Sequence, residues 1–531
     1  MRYFNTEGPV NPEEHYCIEP LERVNLAEIL TLIARKKYFV LHAPRQTGKT
    51  SILLSLQDLL NAAGEYRCLY VNFEEAGGED TARAMKALLG QLASRALYVL
   101  RDDFVDKTRS ECLRTEGPDG ALGETLVRWS SASPKPLVLL IDEIDSLVGD
   151  TLISVLRQLR SNYDRRPRQF PQSVVLCGVR DVRDYRIFSS REGTHVQGGS
   201  AFNIKATSLR LGDFSEGDVR ALLAQHTAER ETAFERGVME RIWALTCGQP
   251  WLVNALAGEA CFDSKTGRDR SGPIRSDAID EARETLILRR VTHLDQLADK
   301  LREDRVRRVI MPMLAGSGDW DFSVRDLEYV RDLGLVAREG AVRIANPIYA
   351  EVVPRELTAV LQLGLEAAVD PKWYVNADGS LDLSGLLSAI QGYFREHAES
   401  WVERFGHAEA GPQLVLQAYL QRVVNCGGRI AREDAVGRGR ADLLVEWRQV
   451  GGQSPARTRK HVIECKVRTG KSGLDRLIRE GREQTASYMD RCGAESGHLV
   501  IFDMRPNRSW NERLFQRDPE SGGSPVTVWG M

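Results

Sequence analysis

Apolar and polar positions change rhythm along this chain. Up to about residue 210, short continuous apolar runs at 38–42 (YFVLH), 68–73 (CLYVNF), 137–141 (LVLLI) and 173–179 (SVVLCGV) alternate with stretches of helical period such as 81–100. Runs of this kind are strands covered on both faces, so the pattern predicts an α/β layer on a parallel sheet. A short amphipathic helix over 25–33 precedes the first run, and Ile52, Leu53, Leu56, Leu59 and Leu60 give a helix after it. Beyond Leu209 the strands cease, and helical spacing covers 218–228, 233–245 and 251–260. Helices at 305–314 and 324–333, followed by a hairpin over 335–344 turning at Glu339-Gly340, read as a winged helix. Helices over 357–367, 386–395 and 414–424 lead to strand-like runs at 438–447 (RGRADLLVEW) and 460–468 (KHVIECKVR) and a helix over 474–491, a second and smaller α/β unit.

With 531 residues, the chain is too long for one core. The rhythm divides it into a lead-in (1–23), an α/β core (24–212), a helical lid (213–302), a winged helix (303–356), a helical linker (357–400) and a C-terminal domain (401–531). No apolar run approaches the length of a membrane span, and the first residues lack a signal-peptide pattern, so a cytoplasmic protein without a membrane partner is expected. The nine cysteines form no CxxC pair, in keeping with that compartment. Net charge is only −3, yet over residues 411–531 Lys and Arg outnumber Asp and Glu, a balance compatible with a nucleic-acid partner.

Candidate chemistry begins after the first strand. Ala43, Pro44, Arg45, Gln46, Thr47 and Gly48 form a polar turn, and Lys49, Thr50 and Ser51 open a helix. In a phosphate loop the backbone N–H groups and the helix N-terminus face the phosphates, the lysine reaches the β/γ oxygens, and the Thr50 hydroxyl ligates Mg²⁺. Ala43 replaces the first glycine of the usual GxxxxGK[ST] pattern, so this turn must tolerate a methyl group. The 137–141 strand ends in Asp142-Glu143, with Asp142 expected to hold Mg²⁺ and Glu143 to polarise the attacking water. Arg180, at the tip of the neighbouring strand, is the candidate sensor of the γ-phosphate.

The order HAPRQTGKT, LLIDEID, CGVRD, FNIKATSLRL, TCGQPWLVNAL resembles the AAA-like ATPases close to the archaeal ATPase and STAND group, over about residues 6–355. The resemblance implies a P-loop NTPase core, a lid and a winged helix, with ATP state controlling opening and assembly, hence a homo-oligomer in the ATP state. A DNA-reading winged helix should carry a basic recognition helix. The candidate VRDLEYVRDL is not basic, so docking on the ATPase core is the expected role.

A second constellation lies in the last domain. Glu464 and Lys466 project to one side of a strand, and if the two runs pair as a hairpin, Asp442 meets that side. Asp442 and Glu464 would bind Mg²⁺ or Mn²⁺, and Lys466 would orient the water. Gln484 and Tyr488 lie one helical turn apart. The set resembles the PD-(D/E)XK nuclease fold, with Asp442, Glu464 and Lys466 as its D…ExK core and Gln484 and Tyr488 matching the QxxxY element of the RecB-like branch, over about residues 411–503. Gln413 and Gln417 stand where an acidic residue is often found on the first helix.

The leading expectation is an ATP-controlled, metal-dependent DNA nuclease, resembling bacterial genome-defence effectors released by a protein or phage-derived trigger. A regulatory scaffold whose nuclease-like domain only binds, and a translocating repair motor, are the alternatives.

Overall fold

A computed structural model describes the chain except residues 1, 79, 182–185, 190–193, 198–201, 231–232, 264–271, 290–292, 294–298, 316–321, 354–373, 406–415, 418, 421–427, 432–442, 450–456, 469–472, 506–507 and 520–524. It falls into two compact units, residues 1–293 with 328–346, and residues 294–327 with 347–531.

In the first unit, α1 (Leu26–Ala34) starts at Asn25, whose side chain accepts from the Glu28 N–H. Then follow β1 (Tyr38–His42), α2 (Lys49–Ala63), β2 (Arg67–Asn72), α3 (Thr81–Leu100), α4 (Phe104–Glu116), α5 (Ala121–Ala132), β3 (Leu137–Asp142), α6 (Gly149–Ser161), β4 (Ser173–Gly178) and β5 (Lys205–Arg210). The strands form a parallel sheet in the order β2-β3-β4-β1-β5. Because β4 separates β1 from β3, the phosphate loop, the Arg180 tip and the acidic turn emerge side by side at the carboxyl edge, where open α/β sheets bind ligands. One apolar cluster packs Leu69, Val71, Leu139, Ile141, Val174 and Leu176 under α3, α5 and α6. The other packs Leu41, Tyr70, Leu140 and Val175 under α1 and α2. The helix α4 had no reading in the sequence pattern, since it buries only Val105 and Cys112 and so lacks a continuous apolar stripe.

The lid comprises α7 (Glu216–Arg230), α8 (Val238–Thr246), α9 (Pro250–Gly258) and α10 (Ser276–Leu288). Gly248 has φ +80°, and a Cβ there would lie 2.1 Å from the Phe214 carbonyl, so the turn between α8 and α9 needs glycine. The lead-in is fastened to the lid. Tyr3–Phe4 pairs in parallel with His15–Tyr16, and Phe4 and Tyr16 pack on His226. The Gln225 amide exchanges hydrogen bonds with the backbone of Cys17, and the Trp251 indole N–H donates to the Thr6 carbonyl at 3.0 Å.

Next come α11 (Asp304–Ala315) and α12 (Val324–Asp332), then an antiparallel bridge between Val336 and Ile344 whose turn holds Gly340 at φ +75°. The segment read as a winged helix is thus divided between the two units, the division falling inside α12.

The second unit contains α13 (Leu383–Phe405), β6 (Gly428–Ala431), β7 (Leu443–Gln449), β8 (Arg457–Arg468), α14 (Leu474–Cys492), β9 (Ser496–Asp503), α15 (Trp510–Arg513), β10 (Phe515–Arg517) and β11 (Val526–Gly530). The mixed sheet runs β6-β7-β8-β9-β11-β10, antiparallel from β6 to β8 and parallel from β8 through β9 to β11. Leu386, Leu387, Ile390 and Phe394 of α13 share a core with Ile463, Cys465, Val500 and Trp529. A boundary near residue 400 therefore falls inside a helix that belongs to this sheet. An amphipathic period shows that a helix has a buried face without naming the sheet that buries it. The helix expected over 357–367 lies outside the described residues.

Candidate functional site

The phosphate loop leaves β1 and enters α2 through two left-handed residues, Gln46 at φ +57° and Gly48 at φ +94°. Ala43 needs no such conformation. It is fully buried, its methyl joins the cluster of Leu41 and Ile52, and its N–H donates to the Gly178 carbonyl at 3.2 Å. That is how the loop dispenses with the usual first glycine. The Thr47 hydroxyl donates to the Pro44 carbonyl at 2.8 Å and tightens the turn. Lys49 is buried and donates to the Ala43 and Pro44 carbonyls at 3.0 and 2.9 Å. Arg45 is exposed.

Asp142 is completely buried at the end of β3. Its carboxylate accepts from the Thr50 hydroxyl at 2.7 Å, the Tyr70 hydroxyl at 3.2 Å and the Glu143 N–H at 3.0 Å. Tyr70 had no place in the sequence motifs, and only the register Val71–Ile141, Asn72–Asp142 shows why it reaches this acid. Glu143 has φ +53°, a conformation costly for a non-glycine residue and frequent at functional sites. Burial, followed by the neighbouring Asp145, raises its carboxyl above the ordinary range. Asp145 accepts from the Val179 N–H at 3.2 Å, and a Cβ at Gly178 would sit 2.7 Å from its other oxygen, so the end of β4 lies close against this carboxylate.

Arg180 stacks on the Tyr329 ring of α12, with its guanidinium carbon 4.7 Å from the ring centre. The same segment meets the loop elsewhere, because a Cβ at Gly334 would lie 2.9 Å from Pro44, and Arg210 donates to the Arg331 carbonyl at 3.2 Å. On the other flank the Ser51 hydroxyl accepts from the Val10 N–H at 3.0 Å. Arg23 donates to the carbonyls of Thr47 at 2.6 Å and Gly212 at 2.9 Å and lies over Phe214. Burial lowers its pKa to about 10, which leaves it charged at neutral pH. Between lead-in, loop and lid is a cavity of about 140 Å³ lined by residues that include Tyr16, Gln46, Gly48, Phe214, Trp251 and Asn254.

Residues 33–185 match a family model described as an AAA domain. They form an AAA-type P-loop ATPase domain. No curated protein matches the chain. Among solved structures, the Walker-type ATPase PABY2304 of Pyrococcus abyssi is 14% identical over 66% of this chain and 99% of that chain, with TM-score 0.43. The Aeropyrum pernix ORC1 protein in complex with DNA is 17% identical over 68% and 96%, with TM-score 0.34. The RuvB Holliday junction branch migration motor of Thermotoga maritima is 14% identical over 61% and 91%, with TM-score 0.33. No helix among the described residues is long and apolar enough to cross a membrane.

Apart from the AAA domain, the second sheet brings together part of the other constellation. Glu464 is 5% exposed, and Lys466 donates to its Oε1 at 2.8 Å, both in mid-β8. Their face is the one covered by α14, where Tyr488 is buried with Val462, Leu499 and Ile501. Gln484, one turn earlier, is exposed. Asp442 and Gln413 lie outside the described residues. The ladder ends with Leu443, which follows Asp442 in sequence, opposite Ile463, which precedes Glu464. Among the described residues no group of three His, Cys, Asp or Glu side chains is disposed to hold a metal ion. Gln417 is buried, its Oε1 without a partner among the described residues.

The basic residues that precede Glu464 on β8 are taken up by carboxylates. Arg459 pairs with Glu495 at 2.6 Å, Arg457 with the same carboxylate at 3.6 Å, and Lys460 with Glu446 at 3.8 Å. Lys460 precedes Glu464 by four residues, roughly 13 Å along an extended strand. Asp503 had no sequence signal. It lies opposite Arg468 on the face of Glu464 and Lys466, clamped by Arg468 at 3.3 Å and Arg505 at 2.6 Å.

Proposed function

We propose that the chain is an ATP-controlled switch coupled to a metal-dependent DNA phosphodiesterase acting in genome defence. The donor set at the AAA site fits Mg²⁺-ATP. A buried ammonium that, among the described residues, is satisfied by loop carbonyls alone, and a hydroxyl–carboxylate pair 2.7 Å apart, are the groups that would take phosphate oxygens and a hard cation. Bound Mg²⁺ supplies charge neutralisation of the triphosphate. Lys49 and the N–H groups of the loop bind the phosphates, Thr50 and Asp142 hold the cation, and Glu143, with its raised carboxyl, takes a proton from the attacking water.

The cavity beside the loop is the seat for the base. The Asn254 amide N–H donates to the Pro250 carbonyl at 2.8 Å, which fixes its oxygen as the outward acceptor, and that oxygen has no partner among the described residues. Gln46 Oε1 is likewise buried and unpartnered. Two acceptors suit the exocyclic amine of adenine and disfavour the carbonyl that guanine carries at the same position. Arg180 is poised to exchange Tyr329 for the γ-phosphate, which would release α12 from the loop. Assembly into a homo-oligomer belongs to that released state.

The nuclease reading rests on one observation, the buried Glu464 carboxylate paired at 2.8 Å with Lys466 beneath α14. Asp442 and Glu464 would hold Mg²⁺ or Mn²⁺, Lys466 would orient the water, and Gln484 and Tyr488 would steady the helix side of the site. The test is cleavage of linear and circular DNA and of RNA by purified protein with ATP and Mg²⁺ or Mn²⁺. Asp442→Ala and Lys466→Ala should each stop cleavage, by at least ~10²-fold. DNA binding without cleavage under every condition would leave the domain a binding module and this reading wrong.

A further inference from the structure

At the amino edge of the AAA sheet, opposite the nucleotide site, two loops are stitched together. The turn from α1 into β1 carries Arg35, Lys36 and Lys37, and the connection from α6 to β4 carries Arg165, Arg166 and Arg168. The stitches are side chains of the second loop on backbone carbonyls of the first. Gln172 donates to Ile33 at 3.0 Å, Ser173 to Lys37 at 2.6 Å, and Arg166 to Lys36. Arg166 lies over Tyr163 and Tyr38, and the Tyr38 hydroxyl donates to the Pro171 carbonyl at 2.9 Å, so the platform is held by rings and hydrogen bonds.

With Arg166 committed to this framework, the other five cations point elsewhere. Arg35, Lys36, Lys37, Arg165 and Arg168 are exposed and make no ion pair among the described residues, and Asp164 is the one carboxylate in the two loops. Several surface arginines elsewhere in this unit are matched with acids, as Arg109 is with Asp106, Arg128 with Glu111 and Glu124, and Arg220 with Glu216, and the exposed arginines that are not, such as Arg83, Arg101 and Arg114, stand apart in sequence rather than on one stitched pair of loops. Five unmatched cations on a rigid platform, in a chain of net charge −3, form a binding surface for a polyanion.

We propose that this edge binds the phosphodiester backbone of nucleic acid. Arginines offer planar forks that match phosphate oxygens, and the repulsion among five neighbouring cations is relieved when closely spaced phosphates replace their counterions. A membrane is a poorer fit, because the exposed large apolar side chains among the described residues (Tyr3, Leu59, Leu97, Tyr98, Val148, Val324) all lie outside these loops, leaving nothing here to insert into lipid. An acidic protein partner would want apolar anchors beside the charges, and these are equally absent.

The test uses full-length protein carrying Asp442→Ala, so that cleavage cannot intervene, and a labelled duplex and single strand of about 30 nucleotides, a length that spans many phosphates. Replacing Lys36, Arg165 and Arg168 by Gln should weaken binding at least about tenfold and flatten the slope of log affinity against log salt by about 2 to 3. ATP binding at the opposite edge should be retained. A photo-crosslinker attached at Lys36→Cys should label the nucleic acid in proportion to occupancy. Unchanged affinity and slope, absence of crosslinks, or binding to anionic vesicles but not to nucleic acid would each overturn the proposal. Its outcome is separate from that of the nuclease reading, since no variant here is asked to cleave.

Discussion

At the scale of single residues, the nucleotide site makes three separable demands. Lys49→Ala should abolish ATP binding, measured by calorimetry, because nothing else in the loop replaces a buried ammonium among the phosphates. Glu143→Gln should keep binding and lose hydrolysis by about 10²- to 10⁴-fold, the range of a general base. It also has a stability signature. Glu143 is held above its ordinary pKa, so its contribution is complete below the unfolded value and is lost as pH rises through the folded one. Glu143→Gln should therefore melt higher than wild type at neutral pH, with the gap closing in acid. In the proposed site Asn254 reads the base. Asn254→Leu removes the unpartnered acceptor and should narrow the preference for ATP over GTP by about tenfold, the worth of roughly one hydrogen bond. A wild-type protein that binds both nucleotides equally would refute that assignment. Ala43→Gly, which restores the usual loop pattern, should lower the melting temperature without tightening ATP, since Ala43 has no left-handed backbone to relieve and its methyl is packed.

Among elements, the sequence was most legible where one physical cause dominates. The four apolar runs could only be covered strands, and the glycine-lysine-threonine and aspartate-glutamate pairs could be placed at their ends from order alone. Residues whose partners come from distant register were not legible. Tyr70 reaches Asp142 across two paired strands, and Asp503 meets Arg468 across β8 and β9. The face that α13 buries, and the ion pairs that occupy Arg457 and Arg459, depend equally on which neighbour folds alongside. The lead-in has too little apolar pattern to announce itself, yet single side chains such as Phe4, Tyr16 and Trp251 fasten it. One element-level contact carries a prediction. If Arg180 on Tyr329 holds α12 at the loop, Tyr329→Ala, which also loses buried packing, should cost about 0.5–2 kcal/mol more stability in the wild-type background than in an Arg180→Ala background, both without ATP. Equal costs in both backgrounds would mean that the two side chains do not share this task.

For the whole molecule, the decisive fact is that α12 is continuous across the division of the chain at residues 327 and 328. Its last turn meets Arg180 at the AAA site, while its first residues belong to the unit that contains Glu464 and Lys466. In the proposed switch ATP draws Arg180 away from Tyr329, and any effect on the nuclease reading is a coupling between that event and cleavage. Coupling of that kind is a free energy, commonly about 1–3 kcal/mol, or 5- to 150-fold in an equilibrium. ATP added to Glu143→Gln protein, which binds without turning over, should therefore change the small-angle scattering profile and raise DNA cleavage within that range. Tyr329→Ala should reproduce much of both effects without nucleotide, because it removes the contact that ATP is proposed to break. Scattering and cleavage are read on the same samples. A change in shape with no change in cleavage would separate the switch from the nuclease, and identical profiles with and without ATP would remove the switch itself.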